Sequence, residues 1–343
     1  MMIKTALVGL GSVNKNLLTI LINKQERLQR DHGICFQIVC VSDSSGVAVD
    51  PDGFEAQMII DRKNAGESAS SFKGFRKGAS VENVLEDTKI DLVFEASPVD
   101  LQTGQPGLGI TRTALAKGIS VVLANKGPVT LAYEELKNLA RGSGAALEMS
   151  ATVCGGLPVL NIGRRDLIAG DISKLKGIFN STSNFILDEM ATGRSYDDAL
   201  AEAQERGIAE ADPSLDVGGW DTANKLVIIA NAILGQTVTL KDVDVTGIEN
   251  ITEDDLKNAR ADNKQIKLVA TYENNKLSVA PIALPQESFL AHCTGWEMAV
   301  ELHTDIYGIM YHKLWEREPV PTAASMLRDA VNIFEDRARK ASL

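Results

Sequence analysis

The sequence predicts an α/β protein of two domains, and three observations indicate it. An apolar strand over residues 3–8 leads into a glycine turn and an apolar helix, which is typical of a parallel sheet covered by helices. Strand and helix patterns then alternate through the first part of the chain. Later, helices are mixed with a hairpin pattern over residues 266–282. We therefore expect a doubly wound, Rossmann-type parallel sheet over 1–147 plus 321–343, and a second α+β domain over 148–320.

Composition excludes several classes of protein. The chain has 343 residues, which is enough for two domains, and its 44% hydrophobic and 24% charged residues are ordinary for a globular protein. A net charge of −11 argues against nucleic acid or an anionic membrane surface as the partner, because phosphate binding needs a basic surface. No apolar run reaches transmembrane length, and the N-terminus enters a strand without a signal-peptide pattern. We expect a cytoplasmic protein.

Cysteine and histidine patterns predict neither disulfides nor a zinc site. The four cysteines are Cys35, Cys40, Cys154 and Cys293, and they have no paired spacing. Reduced thiols fit this pattern best. The four histidines lack the spacing of zinc ligands.

The glycine turn after the first strand is a candidate dinucleotide site. Gly9 allows a tight turn, and Gly11 allows a pyrophosphate to approach the backbone. The helix that follows presents N–H groups from Ser12 and Val13. The third position of the fingerprint is Asn14 rather than glycine, and a side chain there should loosen the packing of helix on strand. An ordinary α/β turn with two glycines is the alternative.

Loops after later strands carry further candidate cofactor contacts. Asp43 ends the second strand, where an acid usually binds the ribose 2′-hydroxyl and favours NAD. Arg62 and Lys63 offer a basic pair for the 2′-phosphate of NADP, and a loop or cap role fits Asp43 equally well. The predicted cofactor is therefore NADP or NAD. Ser97 and Lys126 follow the next two strands, at the sheet edge where such proteins bind ligands.

An acid-rich stretch over 207–225 precedes a strongly apolar helix that ends at Gly235. Asp221 and Lys225 are four residues apart, so they share a face of the first helical turns. A carboxylate and an ammonium at the mouth of a buried helix cost desolvation energy, and chains keep such groups mostly where chemistry needs them. The alternative is a structural salt bridge with acids that complement the helix dipole.

The same stretch carries a family resemblance. From Glu210 to Lys225 it reads Glu-Ala-Asp-Pro-x-x-Asp-Val-x-Gly-x-Asp-x-x-x-Lys, which resembles the signature of homoserine dehydrogenases. Residues 177–187 resemble a second motif of that family. The resemblance implies NAD(P)-dependent interconversion of L-homoserine and L-aspartate 4-semialdehyde in threonine and methionine biosynthesis. It also implies a homodimer.

The resemblance implies roles for individual residues. Lys225 would transfer the proton, Asp221 would position and tune it, and Lys126 would face cofactor and substrate. Substrate contacts would come from four further residues: Glu210, Asp216, Thr182 and Asn180.

Two segments depart from the family pattern. Relatives have a hinge in which a glutamate and main-chain carbonyls hold a monovalent cation. Here the glutamate position is Ser150, and Glu148 lies two residues earlier. The possible remaining metal ligands are the carbonyls of Val153, Gly155 and Leu157. Because a hydroxyl is a weaker ligand than a carboxylate, we expect monovalent cations to matter less here. Residues 311–319 replace the glycine-rich run that precedes the closing helix in the family.

Three other classes of function stay open at this point. The departures at Asn14, Ser150 and Glu318 are consistent with a noncatalytic dinucleotide-sensing protein on the same scaffold. The joint presence of the lysines and acids argues for an enzyme, since a sensor needs no proton-transfer set. A dehydrogenase of another amino acid or semialdehyde is a second alternative. An aspartate-semialdehyde dehydrogenase needs an activated cysteine, for which His292-Cys293 is the candidate pair.

Overall fold

The computed structural model describes residues 1–316 and 319–341, except for the side chains of residues 340 and 341. The chain forms two compact units. The first unit comprises Met1–Gly156 and Glu318–Leu343, and the second comprises Leu157–Arg317. The first boundary therefore follows the hinge segment, whereas the sequence placed it before that segment.

The first unit is built on a six-stranded sheet in the order β3-β2-β1-β4-β5-β6. Its strands are β1 (Met2–Val8), β2 (Cys35–Asp43), β3 (Gly46–Val49), β4 (Leu92–Glu95), β5 (Ser120–Leu123) and β6 (Leu147–Glu148). Its helices are α1 (Ser12–His32), α2 (Ala56–Asn64), α3 (Val81–Asp87), α4 (Gly107–Ala116), α5 (Gly127–Ser143) and α12 (Val320–Ala341). The strands pair in parallel, except in the antiparallel β2–β3 hairpin. This is the predicted doubly wound sheet.

The strand order reverses direction between β1 and β4, which lie side by side. Residues 92–95 and 120–123 are buried throughout, as expected for central strands covered on both faces. In open α/β sheets, ligands bind at the carboxyl ends of the strands where the order reverses. The turn after β1 and the loops after β4 and β5 lie at that edge.

The closing helix α12 is part of the first unit. Ala323, Met326 and Ala330 are fully buried in the same core cluster as Leu17 and Leu18 of α1. A buried hydrogen-bonded pair adds to this packing, because the backbone N–H and hydroxyl of Ser150 donate to the Asp329 carboxylate at 2.8 and 2.9 Å. Asp329 is 1% exposed and Ser150 is 2% exposed.

The second unit also contains a six-stranded sheet, in the order β12-β11-β7-β9-β10-β8. Its strands are β7 (Ile172–Ile178), β8 (Val243–Val245), β9 (Lys264–Glu273), β10 (Lys276–Pro285), β11 (Glu297–Thr304) and β12 (Ile309–Trp315). Its helices are α6 (Val159–Asn161), α7 (Ser181–Ala191), α8 (Tyr196–Glu205), α9 (Ser214–Val217), α10 (Trp220–Ile233) and α11 (Glu253–Ala261). The pairing of β9 with β10 confirms the predicted hairpin.

Helix α10 confirms the predicted buried helix and extends it at the N-terminus. It begins at Trp220, after Gly219, whose φ of +81° is the left-handed conformation that glycine adopts readily. Asp221 therefore lies in the first turn. Residues 226–230 are fully buried. None of the helices in the described ranges is both long and apolar enough to cross a membrane.

The segment that replaces the family's glycine-rich run forms part of a strand. Residues 311–315 belong to β12, which pairs antiparallel with β11 at the edge of the sheet. Alternate side chains Ile309, Tyr311 and Trp315 are exposed on one face. Residues 317 and 318 of that segment lie outside the described part of the chain.

We predict that Asp329→Ala destabilises the protein by about 2–4 kcal/mol, because two buried donors of Ser150 lose their acceptor. Ser150→Ala is the matched control, because it keeps the backbone hydrogen bond and should cost only about 1 kcal/mol. Thermal unfolding of both variants measures the difference. Equal melting temperatures for Asp329→Ala and wild type would contradict the assignment.

Candidate active site

The turn after β1 has the geometry of a phosphate-binding turn. Gly9 has φ +79°, and a Cβ atom there would lie 2.4 Å from the Ala96 carbonyl oxygen, so only glycine fits. Gly11 precedes α1, and a Cβ atom there would meet no atom within 4 Å. The first turn of α1, which begins at Ser12 and Val13, carries no acidic residue. Open space before an uncapped helix N-terminus fits the pyrophosphate of a dinucleotide.

Asn14 corrects an expectation from the sequence. Its side chain is fully buried, and its amide nitrogen donates to the carbonyls of Val8 at 3.0 Å and Gly9 at 2.7 Å. The prediction that Asn14 loosens the packing of helix on strand is wrong, because these two hydrogen bonds tie α1 to the end of β1. The amide thus supports the glycine turn.

The loops after β4 and β5 are tied together by polar contacts. The Ser97 backbone N–H donates to Glu95 Oε1 at 3.0 Å. Asn125 Nδ2 donates to Ser97 Oγ at 3.1 Å, and Asn125 Oδ1 accepts from the Gly127 N–H at 2.9 Å, where α5 begins. Lys126, between them, is the N-cap residue of α5. The sequence singled out Ser97 and the Asn125-Lys126 pair but missed Glu95.

Glu95 is a buried acid at this edge of the sheet. It is 0% exposed, and burial raises the pKa of its carboxyl to about 7, although hydrogen bonds from Ser97 and Asn125 act in the opposite direction. Its Oε2 has no hydrogen-bond partner among the described residues. An acid that ends an apolar buried strand was the available sequence signal.

Asp43 and the neighbouring basic pair engage each other and nearby loops. The Asp43 carboxylate accepts from Lys63 Nζ at 2.8 Å, from the Ala69 N–H at 3.0 Å and from the Ser45 hydroxyl at 2.7 Å. Burial opposes its ionisation, but these hydrogen bonds prevail and hold its pKa below the usual range. Arg62 donates to the Ser71 carbonyl. The acid and the lysine that were expected to favour different cofactors therefore form one ion pair.

In the second unit, the structure gathers the predicted lysine and acids into one cluster. Lys225 Nζ donates to the Phe179 carbonyl at 2.6 Å and lies 2.8 Å from Asp221 Oδ2. Asn180 Nδ2 donates to Asp216 Oδ1 at 2.6 Å and to Asp221 Oδ2 at 2.9 Å. The side chains of Lys225 and Asp221 are 14% and 8% exposed. Asn180 thus links two carboxylates, one of which holds the lysine.

Local structure explains why Asn180 occupies this position. It is the N-cap residue of α7, and its Oδ1 accepts from the Ser183 N–H at 2.8 Å. The cap directs the other end of the amide, Nδ2, towards the acids. Asn is required for both tasks, since Asp at this position would place a third carboxylate against Asp216 and Asp221.

Thr182, in the first turn of α7, contacts the loop that carries Glu210. Thr182 Oγ1 donates to the Ile208 carbonyl at 2.9 Å, and Gln204 Nε2 donates to the Glu210 carbonyl at 3.2 Å. The Glu210 side chain is exposed. The hydroxyl of Thr182 thus anchors the backbone of the segment that presents Glu210, a contact that the sequence did not suggest.

The charges of the cluster suit an amino-acid substrate. Asp216 and Asp221 bring two carboxylates to the cluster, against the ammonium of Lys225. An excess of negative charge favours a ligand that carries an ammonium group. The lysine is oriented by two acceptors, the Phe179 carbonyl and the Asp221 carboxylate.

Two groups of the hinge segment have hydrogen-bond partners within the protein. The Ser150 hydroxyl donates to Asp329, and the Gly155 carbonyl accepts from Ser325 Oγ at 2.9 Å. Among the described residues, no group of three or more His, Cys, Asp or Glu side chains is placed to hold a metal ion. The reduced role of monovalent cations stays a prediction, and no step of the reaction is assigned to a cation.

Cys293 is unsuited to nucleophilic chemistry. It is fully buried, and burial raises the pKa of its thiol to about 12. An activated cysteine has a lowered pKa. The structure therefore argues against an aspartate-semialdehyde dehydrogenase.

A doubly wound sheet with a phosphate-binding glycine turn, and a lysine held among carboxylates, define the class of NAD(P)-dependent oxidoreductases. A family model described as homoserine dehydrogenase matches residues 158–331. The chain is 33% identical over 329 residues to the homoserine dehydrogenase of Methanocaldococcus jannaschii, covering 96% of this chain and 97% of that protein. It belongs to the homoserine dehydrogenase family.

Further comparisons agree. The chain is 32% identical to the NAD(+)-dependent homoserine dehydrogenase of Pseudomonas canavaninivorans, covering 98% of this chain and 97% of that protein. A crystal structure of a homoserine dehydrogenase from Thiobacillus denitrificans has a TM-score of 0.84 at 30% identity, covering 97% of this chain and 73% of that one. A hyperthermophilic archaeal homoserine dehydrogenase in complex with NADPH has a TM-score of 0.84 at 26% identity, covering 98% of each chain.

We predict that the free energy of unfolding of Glu95→Gln, relative to that of the wild type, increases as pH rises. Below pH 4.5 the carboxyl is protonated whether the chain is folded or unfolded. Between 4.5 and about 7 the unfolded chain ionises first, so the wild type loses about 1.4 kcal/mol per pH unit, roughly 3 kcal/mol in all. The glutamine of the variant does not ionise, so unfolding midpoints at pH 5 to 8 should diverge in the variant's favour.

Glu135→Gln is the control for this pH series. The hydrogen bond from Arg112 holds the Glu135 pKa below its usual range, so its ionised form stabilises the fold as pH rises. That stabilisation is already complete above pH 4.5, where the carboxyl is ionised in the folded and unfolded chain alike, so the difference between Glu135→Gln and wild type should stay constant from pH 5 to 8. A constant difference between Glu95→Gln and wild type across the pH range would refute the prediction.

Proposed function

We propose that this chain interconverts L-homoserine and L-aspartate 4-semialdehyde, with NADP or NAD as the second substrate. The observation that carries the proposal is Lys225, held on the Phe179 carbonyl and Asp221, with the Asp216 carboxylate connected to Asp221 through Asn180. That arrangement combines a proton-transfer group with a site for an α-amino acid. Family membership supplies the reaction that uses both.

Lys225 transfers the proton to and from the substrate's C4 oxygen. Two of its three N–H bonds are oriented by the Phe179 carbonyl and by Asp221, so the ammonium is held in one orientation. As an ammonium it donates a proton to the C4 oxygen in the direction that forms the alcohol, and as the neutral amine it accepts the hydroxyl proton in the reverse direction. Asp221 positions Lys225 and favours its charged form. Lys126, at the start of α5, is the second candidate for this work.

The remaining residues of the cluster hold the substrate. Glu210 and Asp216 bind the ammonium group of the amino acid, directly or through water. Asn180 holds Asp216 and Asp221 at their separation and, with Thr182, contacts the substrate backbone. Truncation of these groups should therefore weaken substrate binding more than it slows the chemical step.

The first unit binds the cofactor, whose nicotinamide exchanges the hydride with the substrate's C4 when bound. Gly9, Gly11 and the N–H groups of Ser12 and Val13 would hold its pyrophosphate. Further contacts come from the loops at the same sheet edge: Asp43, Ser97 and Lys126. We assign cofactor binding to the first unit and substrate binding with dimerisation to the second.

The biological setting follows from the reaction. The protein acts in the cytoplasm, in the branch of amino-acid biosynthesis that leads to threonine and methionine, and it works as a homodimer. Exposed Ile309, Tyr311 and Trp315 on one face of β12 support a partner subunit against this sheet. Nucleic acid and membrane are not partners.

We predict that the protein forms NAD(P)H from L-homoserine and that Lys225→Ala lowers kcat by at least ~10³-fold, because the proton-transfer group is lost. The measurement is absorbance of the reduced cofactor, with each cofactor in turn. Lys257→Ala is the matched control, since that lysine is 66% exposed on α11.

The same assay distinguishes the alternatives. Turnover of another amino alcohol in preference to homoserine would establish a different dehydrogenase, and cofactor binding without turnover of any of them would establish a sensor. Near-wild-type kcat in folded Lys225→Ala, with cofactor affinity unchanged, would remove Lys225 from the mechanism.

We predict that both cofactors are used and that Lys63→Ala shifts preference towards NAD by about tenfold, or ~1.4 kcal/mol. Loss of the lysine leaves the Asp43 carboxylate without its ion pair, so it repels a 2′-phosphate and accepts a ribose hydroxyl. The kcat/KM ratio for NADP over NAD measures the shift. Lys73→Ala, at an 86% exposed lysine, is the control, and an unchanged ratio in Lys63→Ala would exclude the pair from cofactor selection.

A further inference from the structure

One polar stripe runs along helix α7 from the candidate substrate site into the core of the second unit. Asn180, Asn184 and Asp188 are spaced four residues apart, so they share one face of the helix. Asn180, at the N-terminus, holds the two acids of the site. Asn184 is 1% exposed. The stripe therefore connects the site to groups that have no part in the proposed chemistry.

Lys267 of β9 ends this stripe as a fully buried lysine, with 0% exposure. Its Nζ donates to Asn184 Oδ1 at 2.9 Å and to Asp188 Oδ1 at 2.5 Å. A buried ammonium is tolerated only when it is paired and hydrogen-bonded, and both conditions are met here. One side chain of the sheet thus contacts two successive turns of α7.

The loop before β11 holds the same stripe from another direction. Asn184 Nδ2 donates to the carbonyls of Cys293 at 3.3 Å and Gly295 at 3.1 Å. The Gly295 N–H donates to Asp188 Oδ2 at 2.7 Å. With Lys267 on one side and this loop on the other, rotation of α7 about its axis is restricted.

Rotation of α7 matters because Asn180 must meet two carboxylates at once, at 2.6 and 2.9 Å. Backbone atoms lie about 2.3 Å from a helix axis and side-chain atoms lie farther out, so a turn of ~20° moves a side-chain amide by ~1–2 Å. A shift of that size breaks a hydrogen bond. Stability alone does not account for the buried pair, since apolar residues often replace such pairs without loss.

We propose that Lys267 is a positioning residue for the substrate site: by anchoring Asn184 and Asp188 it sets the rotation of α7, and so places Asn180 between Asp216 and Asp221. The proposal rests on the proposed function, because its readout is homoserine oxidation. Lys267 acts through Asn180 and does not contact the substrate.

The test is a double-mutant cycle of Lys267→Met and Asn180→Ala. In Lys267→Met we expect KM for L-homoserine to rise about tenfold while KM for the cofactor stays within twofold, a change of ~1.4 kcal/mol in substrate binding. In the Asn180→Ala background, the same lysine substitution should change KM by less than twofold, because the group through which it acts is gone.

Two further variants separate positioning from stability. Val269→Ala removes a fully buried side chain two residues along β9, and we expect it to lower the melting temperature without changing KM. Lys267→Met combined with Asp188→Asn removes the charge that has lost its ion-pair partner and keeps an acceptor for the Gly295 N–H, so it keeps the protein folded if the single variant is not, and its KM should still be raised.

The outcomes are distinguishable. Absence of homoserine turnover by the wild type would refute the proposed function itself. An active wild type with unchanged KM in Lys267→Met, or equal effects of that substitution with and without Asn180, would overturn the positioning role and leave the function standing.

Discussion

The pairing of Lys225 with Asp221 constrains most of the second unit. Helix α10 is buried over residues 226–230, so its first turns must bring charged groups to the edge of an apolar core. The ammonium needs acceptors, and the Phe179 carbonyl at the end of β7 supplies one. The Asp221 carboxylate needs donors, and Asn180 at the cap of α7 supplies another. Strand β7 and helices α7 and α10 therefore meet at one point because two buried charges have to be satisfied there.

Buried carboxylates in the first unit also accept hydrogen bonds that fix the backbone. Glu95 holds the Ser97 backbone after β4, and Asp329 holds the Ser150 backbone in the hinge. Each is an acid whose oxygen accepts a main-chain N–H that would otherwise be buried without a partner. For Glu95, burial raises the pKa of the carboxyl to about 7. The loop after β4 therefore carries a carboxyl that titrates near neutral pH. A contact that shapes the cofactor edge is thus also sensitive to pH.

The departures from the family pattern show why single positions are hard to interpret from sequence. Asn14 was expected to loosen packing, yet its amide finds two carbonyls within hydrogen-bond distance. The dinucleotide-binding fingerprint has a small residue at that position. The free-energy cost of a larger residue depends on which backbone groups face its side chain. Asp43 and Lys63 were treated as competing cofactor contacts, and they bond to each other. In each case the partner lies on another loop or strand end, and its identity depends on the folded backbone.

The sequence by itself determined the alternation of strands and helices, the buried helix α10, the glycine turn, the β9–β10 hairpin and the set of residues Asn180, Asp216, Asp221 and Lys225. Those features depend on periodicity, on local turn chemistry and on a long motif of fixed spacing. Only the tertiary structure decided the buried Glu95, the Ser150–Asp329 pair, the strand at 309–315 and the Lys267 anchor. These depend on contacts between residues far apart in the chain, as between Asn184 and Lys267. Local pattern has no means of pairing such residues, because the free energy that selects the partner arises only when the fold buries both.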